Sequence, residues 1–303
     1  MQQVTRKTLG EGINLTCVTT PKFKRAVLRT MLVLPLGGED AALRACLPQV
    51  LRRGTARLND MQAFGTALDE LYGARIEAAV RKEGENLCIG FLSDCIDEAY
   101  APGADGLTAG VIGLLCDLLY DPYLQDGLFC AAYVEGERGN LIDRIAALKN
   151  DPRSWAPRRL NELMCENEDY GKSALGTIEQ AERITSETLY AAYRRALSEA
   201  QVELFYCGTM MPDEVEARFM ATPLAQPREG TLYQPHTVVQ ARPAGDVREV
   251  VEDAEVTQGK LSLGFRTGGA SLTGGEPAAY WMFQTIYGGS TSAKLFLNVR
   301  EKK

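Results

Sequence analysis

The stretch Ala26–Thr55 reads AVLRTMLVLPLGGEDAALRACLPQVLRRGT, and its interpretation decides the fold. Ala26 to Leu36 is a nearly unbroken apolar run with Val27, Leu32, Val33 and Leu34, the composition of a buried strand. Gly37-Gly38 stops it, and Glu39-Asp40 then supplies the acidic residues that a helix start favours. The helix runs to about Arg53 and ends at Gly54-Thr55. The same order returns later in the chain. Lys260 to Thr267 reads as a strand, Gly268-Gly269 and Gly274-Gly275 stop it, Glu276-Pro277 opens a helix, and Gly288-Gly289 closes that helix. A recurring strand, glycine stop and acidic helix start imply tandem repeats of one domain. The second is expected to be incomplete, because Lys303 follows soon after a helix at Ala293–Val299.

Outward from that stretch, Ile13–Thr19 forms a strand before it, turning at Pro21-Lys22. After it come a helix from Asp60 to Leu71 and paired strands Arg75–Arg81 and Asn86–Phe91 around Glu83-Gly84. Leu107–Tyr120 carries Val111, Leu114, Leu115, Leu118 and Leu119 at helical spacing. Further helices are expected over Asp126–Lys149, from Asp151-Pro152 to about Cys165, and from Ser186 to about Leu197, before a strand at Gln201–Cys207. The fold class is therefore α+β, a mostly antiparallel sheet covered by helices on one face. The spans are 1–220 for the first domain, 221–245 for a Pro-, Gln- and Thr-rich linker, and 246–303 for a partial second domain.

Composition narrows the function. With 45% apolar and 24% charged residues the chain can bury a real core, and its net charge of −7 opposes nucleic acid or an anionic membrane surface as partner. The Arg52-Arg53, Arg158-Arg159 and Arg194-Arg195 pairs read as solvated helix faces. The N-terminal residues lack the apolar core of a signal peptide, and the eight cysteines contain no C-x-x-C pair. A cytoplasmic protein with reduced core thiols is expected. The chain has one histidine, His236, in the linker, so a Ser or Cys nucleophile with a histidine base is not expected. Glu162, Glu166, Glu168 and Asp169 lack the register of a calcium loop and read as a solvated helix end. Gly171 to Gly176 lacks G-x-S-x-G spacing and reads as a loop and helix cap.

An ordered set of segments resembles the insulinase/pitrilysin (inverzincin) metallopeptidases. They are Leu34-Pro35-Leu36-Gly37-Gly38-Glu39, Leu51-Arg52-Arg53-Gly54-Thr55, Gly171 to Thr177 with Ile184-Thr185 and Leu189-Tyr190, and Gly288 to Ser292 with Leu295-Phe296 and Asn298 to Lys302. The family's H-x-x-E-H motif places two zinc-binding imidazoles and a general base on one helix face. Here the histidine positions hold Ala45 and Gln49, and the base position holds Pro48, which also removes a helix hydrogen bond. The later acidic segment keeps Glu137, but the third ligand position holds Arg144. The resemblance thus implies a fold whose active relatives hold zinc and a chain with no cofactor of its own.

What the resemblance leaves is peptide binding along an edge strand, Arg75-Ile76-Glu77-Ala78-Ala79-Val80, with Arg300 matching a substrate-binding arginine of the second domain. The expected function is that of a catalytically degenerate, non-catalytic subunit for a peptide or unfolded protein, as a homo-oligomer (a dimer, for example) or beside an active paralogue. Bacterial zinc-less members associated with modification of elongation factor P are similar. Two alternatives stand beside it: an active zinc metalloendopeptidase with other ligands, and a purely structural assembly subunit.

Overall fold

The computed structural model describes residues 3–225, 228, 230–238, 246–254, 256–266 and 277–302. It divides into two compact units, Met1–Thr237 and Val238–Lys303. The first begins with strands β1 (Gln3–Gly10), β2 (Ile13–Thr19) and β3 (Arg25–Pro35), then helices α1 (Ala41–Leu51) and α2 (Met61–Glu70). Strands β4 (Arg75–Glu83) and β5 (Asn86–Ile96) form a hairpin, and α3 (Leu107–Tyr120) leads to a small hairpin of β6 (Leu124–Gln125) and β7 (Leu128–Phe129). Helices α4 (Ala131–Ala147), α5 (Pro152–Met164), α6 (Ile178–Glu182) and α7 (Ser186–Glu199) precede β8 (Gln201–Gly208) and α8 (Pro212–Met220).

The main sheet has the order β1-β2-β8-β3-β5-β4, with only β2 and β8 parallel. This is the α+β architecture expected from the sequence. Strand alternation sorts its residues to two faces. Leu28, Leu32 and Leu34 of β3 enter the main core with Leu47 and Leu51 of α1, Leu115 of α3 and Leu189 of α7. Met31 and Val33, their neighbours in sequence, form a separate small cluster on the opposite face with Ala79, Cys88 and Tyr233. Gly90 lets β5 sit close to β3, since a Cβ there would lie 2.0 Å from the Thr30 carbonyl oxygen.

Several expectations need correction. The helix expected from Asp126 begins only at Ala131, because Asp126 and Gly127 adopt positive φ (51° and 79°) and turn the β6–β7 hairpin. Strand β1 was not foreseen: its outward, half-exposed polar residues carry little apolar alternation. Helix α8 was missed too, although Val215 and Phe219 make a buried i,i+4 pair. Residues 260–266 form no strand; they are mostly exposed, and no described segment pairs with them. Thr267, both glycine pairs before the next helix, and Glu276 lie outside the described residues.

Part of the stretch read as linker packs on the first unit instead. Arg228 donates through Nε and Nη2 to the Leu197 carbonyl at 2.9 and 2.7 Å, and Nη2 also reaches the Ala200 carbonyl. Tyr233 donates to Asn86 Oδ1 at 2.8 Å while covering the Met31–Val33 cluster. Apolar and donor groups in this stretch therefore outweigh its linker-like composition. In the second unit, α9 (Pro277–Tyr287) ends where Gly288 and Gly289 both donate to the Gln284 carbonyl. Helix α10 (Lys294–Phe296) continues as a π-helical turn, Leu297–Glu301.

Candidate functional site

Helices α1 and α4 pack side by side, and between them opens a cavity of about 400 Å³. It is lined by Ala45 and Gln49 of α1 and by Glu137, Asn140, Leu141, Asp143 and Arg144 of α4. The four positions expected to face one another across a metal site, Ala45, Gln49, Glu137 and Arg144, are thus brought together around one space. Pro48 lies within the same helix, α1, but is buried in the protein rather than lining the cavity. The helix continues through it to Leu51, and the Arg52 amide closes the last turn onto the Pro48 carbonyl at 3.1 Å.

The chemistry of this space is set by who is already engaged. Glu137, only 8% exposed, accepts from Arg53 Nε at 2.6 Å, and Nη2 forms an ion pair with the same oxygen at 2.5 Å. Its other oxygen accepts from Asn140 at 3.1 Å. Gln49 is half-buried, Arg144 is exposed, and neither makes a hydrogen bond or ion pair among the described residues. Behind the cavity, burial first and Glu137 second push the Cys46 thiol up to about 12, so it stays protonated.

A zinc ion, which the family resemblance implies for active relatives, does not fit this set. A methyl, an amide and a guanidinium stand at the ligand positions, and the retained carboxylate is saturated by Arg53 and Asn140. Among the described residues no group of three or more His, Cys, Asp or Glu is placed to hold a metal ion. His236 lies on the surface, its Nδ1 3.3 Å from the Tyr233 hydroxyl and 3.3 Å from the Gln234 carbonyl oxygen. In the acidic cluster Glu162 pairs with Arg158 and Arg159, and Asp169 with Lys172. The loop before α6 ends in a capping box between Thr177 and Gln180.

Strand β4, which holds Arg75, Ile76, Glu77, Ala78, Ala79 and Val80, is the terminal strand of the sheet. Its turn to β5 is tight, with Glu83 opposite Asn86 and Gly84 at φ 61°. Such a turn makes Glu83, Arg81, Ala79 and Glu77 the residues that exchange hydrogen bonds with β5. The backbone groups of Ile76, Ala78 and Val80 therefore face outward. One is taken: Arg52 Nε donates to the Ile76 carbonyl at 2.6 Å. Ala78 and Val80 remain, and no described strand pairs with that edge.

The sequence reading missed Arg52, Arg53 and Asn140. The two arginines had been assigned to a solvated face, yet they bind the edge strand and the buried carboxylate. Arg158 and Arg195 are likewise engaged, with Ser173 and Asp40 at 2.5 and 2.7 Å. The retained acid on α4 was the available signal, since a buried carboxylate with no ligand role needs a cation. Arg300 belongs to the second unit, where its guanidinium lies over the Phe296 ring at 5.1 Å. Among the described residues no helix is long and apolar enough to cross a membrane.

No family model matches the chain. It is 32% identical over 96% of its length to the probable inactive metalloprotease YmfF of Bacillus subtilis, covering 67% of that protein. An uncharacterized zinc protease of Streptomyces coelicolor is 25% identical over 99% of the chain, which covers 62% of that protein. The chain thus spans about two thirds of the length of these relatives. A conserved protein from Enterococcus faecalis superposes with a TM-score of 0.80 at 24% identity, over 99% of this chain and 69% of that one. The peptidase M16 inactive domain from Pseudomonas fluorescens gives 0.68 at 17% identity, over 99% and 68%. Together with the fold shared with these structures, the 32% identity to the Bacillus protein leads to one conclusion: the chain belongs to the insulinase-like (M16) metallopeptidase family, with the metal positions between α1 and α4 altered.

Proposed function

We propose that this chain is a non-catalytic peptide-binding subunit that operates beside a catalytically active relative. The observation that carries the reading is the pairing of an open sheet edge with an altered ligand set. Ala78 and Val80 present backbone groups that an extended peptide pairs with, while the neighbouring helices offer no set that activates water. Strand addition needs only main-chain donors and acceptors, so it survives the loss of the metal. The name of the Bacillus relative, inactive, agrees with this reading, whereas that of the Streptomyces relative, zinc protease, favours the alternative of hydrolysis.

The test uses an extended Val/Thr-rich peptide and the whole chain. Ala78→Pro removes an outward N–H at an edge position, where proline is tolerated by the sheet itself. The expected result is binding by the wild type, at least roughly tenfold weaker binding by Ala78→Pro, and no cleavage of the peptide. Gel filtration with an active family member is expected to give a complex. Chelator-sensitive cleavage by the purified chain overturns the proposal in favour of an enzyme. Unchanged binding in Ala78→Pro overturns the edge as the binding surface.

A further inference from the structure

We infer that the cavity between α1 and α4 is an anchoring site for a carboxylate, with Arg144 as its charge partner and Gln49 as its second donor. The inference rests on the peptide-binding reading, because it names what the bound peptide places in the cavity. Of the polar side chains lining the space, Glu137 and Asn140 bond to each other, and Arg53 occupies the other Glu137 oxygen. Among the described residues Arg144 and Gln49 are left without partners, one on α4 and the other on α1. Both can donate. A guanidinium and an amide lining one space suit a group with two acceptor oxygens, and the planar fork of arginine suits a carboxylate in particular.

The acids nearby select the charge of the ligand. Glu137 is neutralised by Arg53, but Asp143 also lines the cavity and makes no ion pair among the described residues. A doubly charged anion such as phosphate would meet Asp143 with Arg144 as the one cation among the described residues lining the cavity. A single carboxylate pairs with Arg144 and leaves less uncompensated charge beside Asp143 than a dianion does. Leu141 closes the wall with apolar surface, and Ala45 is fully buried there, which leaves room for the carbon chain carrying the carboxylate. In a peptide that group is either the C-terminus or an Asp or Glu side chain.

Isothermal titration calorimetry with three unlabelled Val/Thr-rich peptides tests this on the whole chain. One has a free C-terminus and no acidic residue, one is the same peptide amidated, and one is amidated with a single Glu. The expected result is that at least one carboxylate form binds roughly tenfold or more tightly than the neutral amide. Which form gains identifies the source of the carboxylate. Arg144→Gln is expected to erase that preference while leaving binding of the neutral peptide unchanged, and Arg144→Lys to restore only part of it. Arg144 is exposed, so neither change threatens the fold.

Equal affinity of the wild type for all three peptides overturns the inference, as does an Arg144→Gln variant that weakens all three alike. Ala78→Pro separates this failure from that of the broader reading. If Ala78→Pro weakens every peptide but no carboxylate preference exists, edge binding stands and the anchor fails. If the preference exists and depends on Arg144 while Ala78→Pro has no effect, the anchor stands and edge binding fails. Absence of binding by any peptide overturns both.

Discussion

At the scale of single residues, the contact that organises the site is Arg53 with Glu137. It joins the turn after α1 to the middle of α4 and holds a carboxylate whose side chain is 9% exposed. Removing only the cation strands that charge, whereas removing both leaves an apolar contact. Arg53 is one-third exposed, so solvent screens part of the interaction and the cost falls below the ~3–5 kcal/mol usual for breaking a fully buried pair. Arg53→Met is expected to cost about 2 kcal/mol in urea unfolding, and Arg53→Met with Glu137→Leu to recover most of it. Equal stability of wild type and Arg53→Met would show that the pair does not fasten the two helices. Arg144, seven residues along α4 in the ligand position of the family motif, has no such role to lose.

At the scale of elements, helix starts carry the acid sensitivity. Asp151 caps α5, accepting from the Ser154 hydroxyl at 2.5 Å and the Arg153 amide at 3.1 Å, and these bonds hold its carboxyl below the usual range. Glu179 and Glu187, in the first turns of α6 and α7, are lowered by the side chains of Thr177 and Thr185. A depressed carboxyl stabilises the fold above its unfolded pKa, and that contribution is lost as pH falls through the folded value. Asp151→Ala is therefore expected to lower Tm at neutral pH, with the difference from wild type shrinking as pH falls below the unperturbed carboxyl value of about 3.9. A difference that persists in acid would assign the effect to packing instead.

Elements with strong periodicity or clear caps were legible in the sequence. Helix α3 occupies Leu107–Tyr120 as its apolar stripe indicated, and Asp60 caps α2 by accepting from the Ala63 amide at 2.7 Å. The Asp126-Gly127 turn was written there as well, but the helical residues that follow drew the expected helix across it. Strand β1 was hidden for a physical reason: an outer strand with both Arg6 and Lys7 pointing to carboxylates shows no apolar face to read. The altered motif positions were placed through the family resemblance. Their partners could not be placed, because the contacts of Arg53 to Glu137 and Arg52 to Ile76 join segments far apart in the chain.

At the scale of the whole molecule, burial governs the thiols. Seven of the eight cysteines are buried and Cys207 is half-buried, with none paired. Burial pushes Cys17, Cys88, Cys95 and Cys116 each up to about 11, far from the thiolate that reacts. An Ellman titration of the native protein near about pH 8 is expected to detect at most one fast thiol, Cys207, and all eight after denaturation. Several fast native thiols would contradict the core described above.

The position of β8 has a consequence for synthesis. Gln201–Gly208 sits between β2 and β3, bonding in parallel to one and antiparallel to the other. Until those residues leave the ribosome, the two early strands lack their shared neighbour and expose ladder groups to any passing chain. A nascent polypeptide halted before Gln201 is thus a species prone to self-association, and release of the β8 segment is the event that seals the layer.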